Sequence, residues 1–197
     1  MDEFTTRIIF AVFFFSFLLI SASFRVRANK LGDKFDVVKK EGVSIAIFSR
    51  IIGLSLTVSS FLYIFYPFAI EFAKGQENSW LTIFGILLCL FSLPFIIWTF
   101  KSLGNNITET VEMRQSNQLI KTGMYKYIRH PIYTTTFFFN FGLALISLNW
   151  LIGLIAISLF AIMILRTTTE EKILIEKYGD DYLKYMKITG RHFPILF

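Results

Sequence analysis

Charge, cysteine and histidine are all scarce in this chain of 197 residues. Only 17% of the residues are charged, one is a cysteine and two are histidines. A single cysteine, Cys89, excludes a framework of intramolecular disulfides. Because Cys89 and the two histidines are far apart in the sequence, they form no recognisable metal site, and we expect no metal. Hydrophobic residues make up 54% of the chain, and their arrangement indicates its class.

The apolar residues fall in four long blocks, at residues 4–24, 43–70, 80–100 and 132–165. A helix needs about 20 apolar residues to cross a bilayer, so each of the first three blocks fits one crossing. The fourth block is too long for one helix and holds a turn-forming sequence, Ser147-Leu148-Asn149, near its middle. We therefore predict an all-α, polytopic membrane protein with about five transmembrane helices, the last two a helical hairpin, followed by a short cytosolic helical tail.

The basic residues indicate the orientation in the membrane. Lysine and arginine cluster in residues 25–41, in residues 101–131 and in the tail after residue 165, and the net charge is +6. Five crossings place all three clusters on one side, and the positive-inside rule makes that side the cytosol. We expect the N-terminus outside, the C-terminus inside, membrane lipids as partners and no nucleic acid. The basic tail is expected to lie on the membrane surface as a flap.

The chain divides into two parts of different composition. Residues 1–100 hold three of the apolar blocks and almost no charge at membrane depth, which disfavours a pump or a coupled transporter. We interpret this part as an anchor, with a slot for a lipid-like substrate as the alternative. The leader before the first block is net acidic, which favours an uncleaved helix over a signal peptide. Residues 101–197 carry the polar residues that can perform chemistry.

The most informative stretch is residues 123–133, which places Arg129, His130 and three tyrosines at the start of a membrane segment. Such residues are costly there unless they have partners. Pro131 suits the first turn of a helix, so we expect His130 near the N-cap and backbone N–H groups available to an anion. Taken singly, these residues fit a membrane anchor and a belt of interfacial aromatics.

A glutamate pair completes this stretch. The predicted hairpin returns the chain to the side from which it started, so Glu170 and Glu171 come back beside Arg129 and His130. The result is a cytoplasm-facing pocket with charges of both signs, aromatic faces and backbone donors. Such a pocket suits a zwitterionic ligand that carries an aromatic group.

Three motifs follow one another: Q-L-I-K-T-G-M-Y-K-Y-I-R-H-P-I-Y at residues 118–133, E-E at 170–171 and Y-G-D-D-Y-L-K-Y at 178–185. In this order they resemble the isoprenylcysteine carboxyl methyltransferase family, and integral-membrane phospholipid N-methyltransferases share much of the pattern. The resemblance covers about residues 98–194. It implies a helical membrane enzyme that uses S-adenosylmethionine without a Rossmann domain. By position it implies a cofactor site made of Leu119, Ile120, Gly123, Tyr125, Arg129, His130, Pro131, Tyr133, Glu170 and Glu171.

The implied reaction transfers a methyl group to a lipophilic small molecule or prenylated substrate, with the carboxylate of an isoprenylcysteine as the favoured acceptor. An ionised carboxylate needs no general base, so positioning supplies much of the catalysis. We expect Arg129 to orient the acceptor and Glu170 to be the second catalytic residue. A thiol or amine acceptor would instead need His130 or a glutamate as a base.

Two positions depart from the family pattern. The family commonly has histidine in place of Gln118 and glycine in place of Thr135. The first change leaves only the backbone there for a cofactor, and the second adds bulk beside the expected slot. The acceptor therefore stays open between a carboxylate and a phospholipid, another lipid amine or a thiol. A non-catalytic, lipid-binding membrane scaffold is the alternative outside the enzymes.

Overall fold

The computed structural model describes residues 1–29, 43–104 and 118–195. Within these ranges the chain forms six α-helices and two short 3-10 turns, Pro67–Ala73 and Gly123–Lys126. The predicted all-α class is confirmed for this part of the chain, whereas residues 30–41 of the first basic cluster and 105–117 of the second lie outside it. The helices are α1 (Glu3–Asn29), α2 (Val43–Phe65), α3 (Ser79–Leu103), α4 (Pro131–Ser147), α5 (Trp150–Tyr178) and α6 (Asp180–Ile188).

Four of these helices are long and apolar enough to cross a membrane: α1, α2, α3 and α5. The shorter α4 has 17 residues. That length is at the lower limit of the roughly 17–25 residues that a crossing uses. The fifth crossing therefore stays a prediction.

The hairpin turn lies where the sequence predicted it. Ser147 ends α4, Leu148 adopts a left-handed conformation with φ of 48°, and α5 begins at Trp150. The Asn149 side chain caps α5 by accepting hydrogen bonds from the amides of its second and third residues. Its Nδ2 atom also donates to the Ile70 carbonyl oxygen at 3.1 Å. One asparagine thus starts α5 and ties the hairpin tip to the turn that follows α2.

The hydropathy of the second apolar block suggested one helix over residues 43–70, but the structure does not form a single helix there. Helix α2 ends at Phe65, and the Pro67–Ala73 turn follows. Proline has no amide hydrogen to continue the helical bonding, and it disfavours helical dihedrals in the residue before it. Tyr66 accordingly has φ of −136° and ψ of 58°. By contrast, α3 runs without interruption through Pro94.

Small residues bring α3 and α4 close together. A Cβ atom on Gly85 would lie 2.7 Å from the carbonyl oxygen of Gly142 and 2.8 Å from the amide nitrogen of Ile146. A Cβ atom on Gly142 would lie 2.7 Å from Sγ of Cys89. Helix pairs in membranes depend on such close backbone contact, because lipid tails are as apolar as the side chains they replace. This contact sets the position of α4 and therefore of the residues at its start.

Gly85→Ala is expected to lower the free energy of unfolding by about 1–3 kcal/mol, because the added methyl group must push two backbones apart. Gly53→Ala is the matched control, since it adds the same group within α2 where nothing lies within 4 Å. Thermal unfolding in detergent micelles measures both variants. Equal melting temperatures would contradict the proposed contact.

Candidate functional site

A glycine turn fastens the motif segment to the end of α3. Gly123 has φ of 61°, in the left-handed region that L side chains rarely adopt. A Cβ atom there would also overlap the Ser102 hydroxyl. The next amide, that of Met124, donates to the same hydroxyl at 3.4 Å. The local structure therefore requires glycine at this position for reasons of shape, whatever ligand the site holds.

His130 and Pro131 form the start of α4, as predicted. His130 occupies the N-cap position and makes no side-chain cap bond. Its ring stacks against that of Tyr133, with the centroids 5.8 Å apart and 1° between the planes. The first turn of α4 thus presents an imidazole and a phenol side by side.

Helix α5 brings both glutamates to this end of α4. The Tyr133 hydroxyl donates to Glu170 Oε2 at 2.9 Å. Arg129 Nε donates to Glu171 Oε1 at 2.8 Å, and His130 Nε2 lies 3.3 Å from the same oxygen. The structure therefore brings together the arginine, histidine, tyrosine and glutamate residues that the sequence analysis grouped.

Glu171 is a buried carboxylate with three partners. Its side chain is only 3% exposed, and Arg191 donates to its second oxygen while Arg129 and His130 contact the first. The Arg129 guanidinium makes two more hydrogen bonds. Its Nη1 donates to the carbonyl oxygen of Met186, at 3.2 Å, and to that of Thr189. These contacts hold α5, the start of α4 and the C-terminal segment together.

Glu170 has the more accessible carboxylate of the pair. Its side chain is 24% exposed, and its contacts are the Tyr133 hydroxyl and, at 3.7 Å, Nδ1 of His130. Burial, with smaller contributions from Glu170 and Tyr185, raises the pKa of the Tyr125 phenol well above its usual value. Glu170 and Tyr133 therefore form the part of the site that is suited to a ligand.

The C-terminal segment packs onto the motif, which the sequence analysis did not predict. The Arg129 amide donates to the Gly190 carbonyl oxygen at 2.8 Å, and the His130 amide donates to the Arg191 carbonyl oxygen at 3.1 Å. In the other direction, the Gly190 amide donates to the Tyr127 carbonyl oxygen at 3.3 Å. These bonds hold the backbone at Arg129 and His130 against the C-terminal segment. The tail therefore packs against the motif, and its position on the membrane surface stays a prediction.

Helix α6 contacts the motif segment. The Tyr185 hydroxyl donates to the Tyr125 carbonyl oxygen. Leu119 and Ile120, the first residues of the expected cofactor site, are half-buried in the coil before the glycine turn. Thr135, which departs from the family pattern, is buried and donates to the Pro131 carbonyl oxygen at 2.8 Å. The Thr135 hydroxyl therefore makes its hydrogen bond inside α4.

His192 is a second histidine at the site and was missed by the sequence analysis. Its ring lies 5.7 Å from that of His130 and 5.8 Å from that of Phe160. Both ring nitrogens are buried and have no hydrogen-bond partner in the described part of the chain. Burial, with smaller contributions from His130 and Arg191, lowers the pKa of the imidazole to about 4. The sequence offered one sign that His192 belongs to the site, which is that it follows Arg191 directly, shortly after the last helix.

The fold and the site together define a class, that of multi-pass integral membrane proteins with a polar site at the open end of a helical hairpin. A family model for phospholipid methyltransferases matches residues 80–181, which run from α3 through both glutamates. The chain belongs to this family.

Its relatives include isoprenylcysteine methyltransferases, which confirms the resemblance seen in the motifs. The human protein-S-isoprenylcysteine O-methyltransferase is 27% identical over 124 residues, which cover 61% of this chain and 44% of the relative. The Saccharomyces cerevisiae protein of the same name is 29% identical over 146 residues, 73% of this chain and 60% of the relative. This chain thus spans about half the length of its curated relatives.

A solved structure shares the fold. It is that of a eukaryotic intramembrane Ras methyltransferase, an isoprenylcysteine carboxyl methyltransferase, and it superimposes with a TM-score of 0.54 at 21% identity. The match covers 77% of this chain and 51% of that one.

Glu171→Gln is expected to lower the free energy of unfolding by about 3–5 kcal/mol, because Arg129 would remain buried without its carboxylate. Glu176→Gln is the control, since it makes the same change at an exposed position of the same helix. Unfolding in detergent by heat or denaturant measures both. A loss no larger than that of the control would show that the buried pairing does not stabilise the fold.

The lowered pKa of His192 predicts a contribution to the pH dependence of stability. Between about pH 6.5 and 4 the unfolded chain binds a proton on His192 that the folded protein excludes, so the free energy of unfolding falls as the pH falls. The ionisable groups that act on this ring are His130, Arg191, Glu171 and Arg129. His192→Phe removes only the titrating group. Its melting temperature should therefore rise relative to wild type as the pH is lowered through this range, and a constant difference would contradict the assignment.

Proposed function

We propose that this protein is a membrane methyltransferase that moves a methyl group from S-adenosylmethionine to a lipophilic acceptor. The observation that carries the proposal is the hydrogen bond between Tyr133 and the partly exposed Glu170 at the open end of the hairpin. The family match and the O-methyltransferase names of the relatives support the same activity.

The exposed part of the site fits the methyl donor. S-adenosylmethionine supplies, when bound, a methyl group activated by a positively charged sulfur. Glu170 keeps enough exposure to pair with an amino group or with ribose hydroxyls. The rings of Tyr125 and Tyr133 can attract the sulfonium by roughly 0.5–2 kcal/mol. The backbone of Leu119 and Ile120 and the turn at Gly123 complete the proposed binding site.

Arg129, His130 and Glu171 act as positioning residues in this proposal. Arg129 was expected to orient the acceptor, but its bonds to Glu171, Met186 and Thr189 suit it better to hold the site rigid. Methyl transfer needs an in-line approach of the acceptor atom to the methyl group, so small displacements are costly. This buried cluster contributes to methyl transfer by fixing the spacing between α4 and α5.

A carboxylate is the favoured acceptor. The relatives are named for action on isoprenylcysteine, whose carboxylate is already ionised and needs no base. The second candidate is a phospholipid or another lipid amine, because the matching family model describes phospholipid methyltransferases.

The site faces the cytosol in this proposal. The tail after α5 is rich in lysine and arginine, and the positive-inside rule places such residues on the cytosolic side. With five crossings the N-terminus is outside. Residues 1–100 then serve as an anchor that borders the acceptor slot, and residues 101–197 provide the donor site.

Donor binding tests the proposal directly. The purified protein should bind S-adenosylmethionine saturably, and Glu170→Gln should weaken that binding about tenfold, since a hydrogen bond to a charged group is lost. Its melting temperature should change little, because Glu170 is only partly buried. Glu176→Gln is the control for the charge change. A folded wild-type protein that binds no donor would reject the proposal and favour a lipid-binding scaffold.

A second experiment identifies the acceptor from the methylated product. Membranes that contain the protein are incubated with methyl-labelled donor and, in separate reactions, a prenylated cysteine acid, phospholipids and membrane extract. Label that mild base releases as volatile methanol indicates a carboxyl ester, whereas label that remains non-volatile indicates transfer to nitrogen or sulfur.

A further inference from the structure

Most charged groups of the motif already have partners within the protein. Glu171 is bonded by Arg129 and Arg191, and Arg129 also donates to two backbone carbonyls. The His130 ring nitrogens lie 3.3 Å from Glu171 and 3.7 Å from Glu170. An acceptor carboxylate would have to compete with Glu171 for these groups, so a buried group with hydrogen-bonding capacity to spare is the better candidate.

His192 has that capacity. Both of its ring nitrogens are buried, and neither has a partner among the described residues. Leaving a buried polar group unpaired costs free energy, which a bound ligand can recover. The neutral imidazole always carries one N–H donor and one acceptor nitrogen. Because its ring lies 5.7 Å from that of His130, this capacity is located beside the proposed donor site.

The surroundings of His192 suit a molecule with a polar end and a hydrocarbon chain. Phe160 packs edge-on against the ring, and Phe137 stacks on Phe160 at 4.2 Å. The next residue, Phe193, is 58% exposed and lies against Phe138. An apolar surface made of these four rings therefore adjoins a buried hydrogen-bonding group.

We propose that His192 binds the acceptor, donating a ring N–H to its carboxylate while the aromatic rings around it contact the hydrocarbon chain. The inference rests on the proposed function and names the residue that selects the acceptor. One ring N–H can bond one carboxylate oxygen, which leaves the other oxygen free to attack the methyl group. In the transfer, a lone pair of that oxygen forms the new bond to carbon, the carbon–sulfur bond breaks with its electrons going to sulfur, and no proton moves.

Binding of acceptor analogues to the detergent-purified, full-length protein tests this without turnover. The probes are N-acetyl-S-farnesylcysteine and its methyl ester, which has the same chain but no carboxylate. His192→Phe keeps an aromatic ring and removes both nitrogens, and it should weaken acid binding about tenfold or more while ester binding is unchanged. His192→Gln, which restores an N–H donor, should recover part of the loss. Affinity for S-adenosylmethionine should be the same in all three proteins.

Phe193→Leu is the matched control in the same segment, because it alters only apolar contact and should weaken the acid and the ester equally. Equal acid binding by wild type and His192→Phe would overturn the inference, as would a parallel loss of acid and ester in that variant. Wild-type protein that binds the methyl donor but not the acid would also overturn it, while leaving the methyltransferase proposal in place with another acceptor. Failure to bind the donor at all would count against the proposed function itself.

Discussion

The site depends on one buried carboxylate. Glu171 pairs with Arg129 and His130, which precede α4, and with Arg191, which follows α6. Removing a carboxylate from water is costly, and close pairing with guanidinium groups offsets that cost. Because the partners come from separate segments, satisfying this one charge fixes the positions of α4, α5 and the C-terminal segment relative to each other.

Two adjacent glutamates consequently have different roles. Neighbouring residues of a helix point about 100° apart, so they cannot face the same surroundings. Glu171 points into the buried cluster, whereas Glu170 reaches Tyr133 and keeps part of its side chain exposed. The dipeptide thus supplies one group that holds the framework and one that is open to a ligand. The distinction matters for any substitution experiment, since we expect the loss of Glu171 to destabilise the fold and the loss of Glu170 to weaken ligand binding.

Local sequence signals predicted much of the fold and part of the site. Pro131 marked the start of α4, and Ser147-Leu148-Asn149 marked the turn of the hairpin, because both act through the backbone conformation of a few residues. The hairpin in turn predicted that the glutamates would meet the Arg129-His130 pair. The end of α2 at Phe65 was also encoded locally, by Pro67, although continuous hydropathy hid it.

The sequence by itself determined a helical membrane protein, its hairpin and the identity of its motif residues, because apolar length, proline and asparagine act over short distances. Only the tertiary structure decided which of those residues are bonded inside the protein and which are open to a ligand. The bonds from Arg129 and His130 to Gly190 and Arg191 join backbone atoms, which every residue has and no sequence pattern distinguishes. The same packing left both ring nitrogens of His192 buried without a partner among the described residues, and it bound Arg129 to Glu171 and to two backbone carbonyls. Those outcomes depend on which groups meet across the fold, so the different surroundings of Glu170 and Glu171, and the position of His192 next to His130, could be recognised only once the chain was folded.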